Sequence, residues 1–279
     1  MIPVYIPSFN RAESIKTHLW LEASGIDYKI LLHSDACADS YIKAGRVDSK
    51  KIIVTGAPFG VTNHRNWVVD NLAKRGEWYV SLDDNIKSMK RVVDEHYDKK
   101  KIDVDDPDIN QATFAQEVEA SEYMKLLEKD IAVAESIHAE YIGYATVDNY
   151  YFNSKKYKAV GYVISKACAI KFAGLRYDPA LEAMEDFGYC ASQLVKNNSV
   201  LINSWIKPIA GHYEIGGIGT YERRLPRKII DCEYLIAKYP ELFRYKVKKG
   251  CHPKAELQFR FHNPKQIIEW KRKHNITND

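Results

Sequence analysis

The sequence predicts an α/β protein built on one mostly parallel sheet with helices on both faces. Short apolar strand candidates alternate with amphipathic helices over the first 85 residues, and the strand candidates end in polar or turn-forming residues. The composition is that of an ordinary globular domain, with 46% hydrophobic and 28% charged residues. Strand, helix, strand at this spacing implies parallel pairing through right-handed crossovers, which gathers ligands at the carboxyl ends of the strands.

Ile2 to Ile6 is the first strand, ending in the turn-rich Pro7-Ser8-Phe9-Asn10-Arg11. Ile15, Leu19 and Leu21 mark an amphipathic helix that stops near Gly25. Tyr28 to His33 is a second strand closing into Ser34-Asp35, and Ile52 to Val54 is a third. After Gly60 a helix runs from about Thr62 to Ala73, and Trp78 to Leu82 forms a fourth strand that ends in Asp83-Asp84-Asn85. The mixed-charge stretch Asp94 to Asp108 reads as a solvated connection or a lid.

Apolar positions from Phe114 and Val118 through Ile137 then predict a long packing helix. Tyr141 to Ala145 and Ala159 to Ser165 are strand candidates, with a short helix at Lys166 to Phe172. Met184-Glu185-Asp186-Phe187 leads into a helix reaching about Lys196, Val200 to Ile206 is a strand, and Gly211 to Thr220 is a glycine-bearing loop. The final residues read as helices on a basic surface, so the expected organisation is a catalytic domain over 1–225 and a helical extension over 226–279 packed on it.

Composition excludes several classes. There is no run of about 18 apolar residues and no signal-type amino terminus, so the expectation is a cytoplasmic protein without a membrane partner. The five cysteines are scattered without a C-x-x-C pair, against both a zinc site and a disulfide framework. A net charge of +4 permits an anionic partner without requiring one.

Asp83 and Asp84 follow an apolar strand directly, so a rigid strand end holds them; such a pair suits a divalent cation and equally suits a turn or cap. The three segments Ile6-Pro7-Ser8-Phe9-Asn10-Arg11, Gly60-Val61-Thr62-Asn63-His64-Arg65-Asn66 and Leu82-Asp83-Asp84-Asn85 occur in that order. In order and approximate spacing they resemble the nucleotide-sugar half of the glycosyltransferases of the A fold, especially the family 2 type.

The resemblance implies a UDP-sugar donor, a Mn²⁺ or Mg²⁺ ion, and donor contacts from Pro7, Ser8, Asn10, Arg11, Asp35, Arg65 and Asp83. It implies metal ligation by Asp83 and Asp84, with His212 completing the set. Glu185-Asp186 matches the family's acidic pair, whose aspartate is the catalytic base in inverting members. Asn85 stands where the family has its metal-binding aspartate, so whether Asp84 or Asn85 meets the cation stays open, as does the stereochemical outcome.

More narrowly, Pro3 to Ser8, the Asp-Asp-Asn form, Tyr177-Asp178-Pro179 and Thr220 to Arg224 resemble the phage and base-J-associated enzymes that glycosylate hydroxymethylpyrimidines in DNA. That resemblance implies DNA modification during phage growth, in the host cytoplasm, with hydroxymethylcytosine as first acceptor. Basic clusters containing Arg223, Arg224, Lys248 and Lys249 are candidate phosphate contacts, or a solvated surface. A glycan or protein acceptor, and a non-catalytic nucleic-acid-binding module, are the alternatives.

Overall fold

A computed structural model describes residues 2–92, 115–145, 157–210, 221–247, 250 and 252–276. Strands β1 (Val4–Pro7), β2 (Lys29–Leu32), β3 (Ile52–Val54) and β4 (Trp78–Leu82) are linked by helices α1 (Thr17–Glu22), α2 (Asp35–Ala44) and α3 (Val61–Asn71). The chain continues as β5 (Ile86–Val92), β6 (Ala115–Val118), α4 (Ala120–Ser136), β7 (Tyr141–Tyr144), β8 (Tyr157–Lys158), β9 (Ala167–Lys171) and α5 (Glu185–Asn197). It ends with β10 (Leu201–Asn203), β11 (Ile206–Ala210), α6 (Tyr221–Lys238), β12 (Phe243–Tyr245), β13 (Leu257–Phe259) and α7 (Pro264–Lys273).

The main sheet has eight strands in the order β3-β2-β1-β4-β9-β7-β10-β8. Pairing is parallel from β3 through β4 and between β7 and β10, while β9 opposes both neighbours and β8 opposes β10. Between β1 and β4 the order turns back on itself, so the loops beyond these two strands diverge and leave a crevice. A second sheet, β11-β5-β6, and the hairpin β12-β13 are antiparallel.

Strict alternation along the strands divides the apolar residues into two layers. Val4, Ile6, Ile30, Leu32, Val80, Leu82 and Ile142 face α1, α2 and α4. Tyr5, Leu31, Tyr79, Tyr141, Cys168 and Ile170 face α3, α5, α6 and α7. Cys37, Cys168, Cys190 and Cys232 are buried free thiols, and no helix among the described residues is long and apolar enough to cross a membrane.

Several elements differ from expectation. The segment expected as a helix at Lys166 to Phe172 is instead β9, at the middle of the sheet. Ala167, Cys168, Ala169 and Ile170 are covered on both faces, which leaves no alternation to read. Ala159 to Ser165 is irregular. Val118 belongs to β6, held by pairing with β5, and the helix begins only at Ala120. Asn203 Oδ1 accepts from Trp205 N at 3.2 Å and turns the chain, so the strand expected over Val200 to Ile206 divides between two sheets.

Helix α2 was not anticipated, although the Ser34 cap (accepting from Cys37 N at 3.3 Å) and left-handed Gly45 delimit it; its buried stripe is the weakly apolar Cys37, Ala38 and Tyr41. The C-terminal part is not purely helical, since it contains the hairpin. Residues 225 and 226 both lie inside α6, and Leu235, Phe243, Phe259 and Trp270 share one core with α5. Asp94 to Asp108 and Gly211 to Thr220 lie outside the described residues.

Asp130 of α4 is 1% exposed and accepts from Tyr157 Oη at 2.7 Å and from Asn203 Nδ2 at 3.0 Å. Burial pushes its carboxyl up to about 6 against these two hydrogen bonds. A carboxyl raised on folding contributes its stability below the unfolded value near 4 and loses it as the pH rises through the folded value. The stability of the wild type relative to Asp130→Asn is therefore expected to fall by up to about 3 kcal/mol between pH 4 and pH 7. Urea titrations at several pH values measure this; parallel profiles would exclude Asp130 as the source.

Candidate active site

The turn after β4 is tied to the start of α1. Thr17, fully buried, donates to the Asp83 carbonyl at 2.5 Å and accepts from Ile86 N at 2.9 Å, while Lys16 N donates to the Asp84 carbonyl at 2.9 Å. These bonds fix the backbone and send the two carboxylates apart. Asp84, 8% exposed, turns inward: Ser8 Oγ donates to its Oδ2 at 2.5 Å and Arg11 Nε lies 3.3 Å from its Oδ1. Tyr41 Oη, 2.6 Å from Ser8 Oγ, accepts from Arg11 N at 3.0 Å and completes this cluster.

Asp83 is the more accessible of the two acids. Its side chain keeps 39% of its surface accessible. Burial raises its carboxyl to about 6; Arg65 opposes the rise and Asp84 reinforces it.

Arg65 of α3 joins this wall to the start of α5. Its guanidinium donates to Glu185 Oε1 at 2.7 Å and to the Ser165 carbonyl at 3.1 Å, lies 3.6 Å from Asp83 Oδ1, and sits 5.2 Å over the Tyr177 ring. Asp186 is half-buried. Tyr162 donates a short hydrogen bond to Asp186 Oδ2, Phe187 N donates to Oδ1 at 2.9 Å, and the Tyr162 and Phe187 rings stack at 4.1 Å. Burial first, and then the Glu185 charge, hold the Asp186 carboxyl above the ordinary carboxylate range, while the Tyr162 hydrogen bond pulls it down. A carboxylate kept in this state is a suitable general base near neutrality.

Beyond β1, β2 and β3 lies an aromatic group. Phe9 packs against His33 at 5.2 Å and against Phe59 at 4.6 Å, and Phe59 is 58% exposed. His64 is buried beside His33, and burial lowers its imidazole to about 4, so it is neutral at pH 7. A flat face with imidazole nitrogens beside it, at the ends of adjacent parallel strands, suits a nucleobase.

The expected residues divide clearly. Ser8, Arg11 and Asp84 come together in one cluster next to Pro7, and Arg65 joins Asp83 to Glu185, the neighbour of Asp186. Arg65 is 4% exposed and turned into the protein, a strut rather than a surface contact. Asn10 has the left-handed φ of 51°, and Asp35 is exposed in the first turn of α2. His212, Lys248 and Lys249 lie outside the described residues, among which no cluster of three or more metal-type side chains is found.

On α6, Arg223 is exposed and Arg224 half-exposed. Further basic groups of the C-terminal part pair within the chain: Lys228 with Glu256 at 2.7 Å, Lys271 with the Val195 carbonyl at 2.5 Å, and Lys273 with Glu241 at 2.8 Å. Thr17, Tyr41, Tyr162, Phe9, His33 and Phe59 were not anticipated. Only Phe9, lying inside the first turn motif, carried a local signal. A scan against protein-family models, a search of the curated proteins and a search of the solved structures each returned no match.

Proposed function

We propose that this chain is a glycosyltransferase of the A fold that moves a sugar from a UDP-sugar onto an acceptor hydroxyl. The observation that carries the reading is the juxtaposition, through Arg65, of an accessible acid at the end of β4 with an acid pair opening α5. A mostly parallel sheet with a reversal of order between β1 and β4, and with β9 and β8 as its opposed strands, supports the reading. In this reading the rings of Phe9 and Phe59 receive the uracil. Asp186 takes the proton of the acceptor hydroxyl while Tyr162 orients the carboxylate, and Arg65 holds both walls at fixed separation.

A divalent cation fits the residues present. Asp83, Asp84, Glu185 and Asp186 lie close to the two guanidiniums Arg11 and Arg65; burial is the main cause of the raised Asp83 and Asp186 carboxyls, and the neighbouring acids Asp84 and Glu185 add to it. Asp83, with its accessible edge, would hold Mn²⁺ or Mg²⁺ with His212 as a further ligand, while Asp84, whose oxygens are taken by Ser8 and Arg11, would give up one of these contacts to join them. When bound, the ion supplies charge neutralisation for the departing diphosphate.

The acceptor to test first is hydroxymethylcytosine in duplex DNA, because of the resemblance to the hydroxymethylpyrimidine glycosyltransferases. Engagement of Lys228, Lys271 and Lys273 within the protein favours a second reading, a glycan or protein acceptor. The experiment is a UDP-sugar screen with manganese, following UDP release and the mass of the modified base at low and high salt. Transfer to DNA that weakens with salt supports the first acceptor. Transfer to glycan alone supports the second, and DNA binding without any transfer leaves a non-catalytic module. Asp83→Ala and Asp84→Ala are each expected to slow transfer by on the order of 100-fold or more; full activity in both variants removes the metal assignment.

A further inference from the structure

We infer, on the reading of Asp186 as the base, that Asp231 of α6 is the positioning residue that sets where Asp186 points. Helix α5 opens without a side-chain cap of its own: Met184 stands at the capping position and offers no side-chain hydrogen bond. No local side-chain cap therefore fixes where α5 begins. Asp231 supplies one from another helix. It is fully buried, and its Oδ2 accepts from consecutive backbone N–H groups of Glu182 (3.0 Å), Ala183 (2.7 Å) and Met184 (3.1 Å).

Successive N–H groups converging on one oxygen form an anion nest, here filled by the chain's own carboxylate. The other oxygen accepts from Arg227 Nε at 2.8 Å, and Arg227 also donates to the Ala180 carbonyl and pairs with Glu182 at 3.2 Å. A buried carboxylate must be compensated on both oxygens. Here much of that compensation is the backbone that leads directly into Glu185 and Asp186.

The same segment is fastened from the opposite side by α3. Thr62 Oγ1 donates to the Leu181 carbonyl at 2.8 Å, and Asn66 exchanges two hydrogen bonds with the Tyr177 backbone at 2.8 and 2.9 Å. Gly188 permits close approach in the first turn of α5, where a Cβ would lie 2.2 Å from Leu181 Cδ1. Phe187 stacks near-parallel with Phe259 of the hairpin at 5.9 Å. Residues 177–184 are thus clamped between α3, which carries Arg65, and α6, which carries Asp231. Freed of Asp231, the N-terminal turn of α5 gains freedom, and a displacement of about 1 Å at a base costs on the order of 100-fold in rate.

The test compares wild type, Asp231→Ala and Asp231→Asn by backbone amide hydrogen exchange and by steady-state kinetics with UDP-glucose. Expected in Asp231→Ala is faster exchange confined to residues 182–190, with α2 (35–44) unchanged. Turnover falls by about 100-fold while the donor KM stays within about two-fold. Asparagine, which keeps an acceptor oxygen, is expected to recover part of both. Unchanged exchange at 182–190 overturns the inference, and so does exchange accelerated equally through α2, which would make Asp231 a general stabiliser. If the wild type transfers no sugar from any UDP-sugar of the screen, the proposed function fails while the exchange data still decide what Asp231 positions.

Discussion

Replacing Asp186 by asparagine is expected to lower turnover by about 10²- to 10⁴-fold while leaving UDP affinity within about two-fold. The amide keeps one oxygen to accept from Phe187 N and turns its NH2 toward the Tyr162 hydroxyl, which can accept in place of donating, so the local geometry survives, but it cannot accept a proton. The pH dependence follows from the same environment. Burial and the Glu185 charge hold Asp186 above the ordinary carboxylate range, and a base works only when ionised. Activity is therefore expected to rise with pH through that elevated value, well above the value near 4 of an exposed aspartate. Tyr162→Phe removes a hydrogen bond that favours the ionised form, so the acidic limb should move to higher pH. Profiles of kcat/KM against pH for the two proteins measure the displacement. An unmoved limb together with undiminished turnover in Asp186→Asn would remove this residue as the base.

The largest loss of stability is expected from Arg65→Met, about 3–5 kcal/mol. Arg65 is 4% exposed and Glu185 8%, with 2.7 Å between their charged atoms, so removing the guanidinium leaves a carboxylate in a site that water does not reach freely. Lysine is not an adequate substitute, because a single ammonium cannot reach Glu185, the Ser165 carbonyl and the neighbourhood of Asp83 together. Against a total stability of about 5–15 kcal/mol for a folded protein, such a loss is visible as a large shift of the urea midpoint. The double variant Arg65→Met with Glu185→Met should recover much of it, since removing both charges removes the desolvation cost as well. A midpoint shift worth under about 1 kcal/mol in the single variant would mean that the pair is not what holds the two walls together.

The parts legible in the sequence were those whose signal is local. The bounds of β3 and β4 match the apolar runs Ile52–Val54 and Trp78–Leu82, because each run is closed by turn-forming or charged residues. Helix α3 was visible from Gly60 and the residues after it, and Asp83, Asp84, Glu185 and Asp186 each stood where a regular element ends or begins. The failures lie where partners are distant in the chain. β9 reads equally as helix until β4 and β7 enclose it, and β6 exists because β5 pairs with it. Tyr162 lies in an irregular segment, and nothing nearby in sequence announces its bond to Asp186 or the bonds of Asp231 to residues 182–184.

Sequence alone determined the alternation of strands and helices, the parallel first half of the sheet and the identity of the acids at its edge, because periodicity and turn chemistry act over a few residues. Only the tertiary structure decided which acid stays accessible, that Arg65 is an internal strut, and that the last helices and hairpin brace α5. Those outcomes depend on burial and on hydrogen bonds between segments far apart in the chain. A carboxylate becomes a surface group or a compensated core group according to what packs against it, and its own neighbours in sequence do not carry that information.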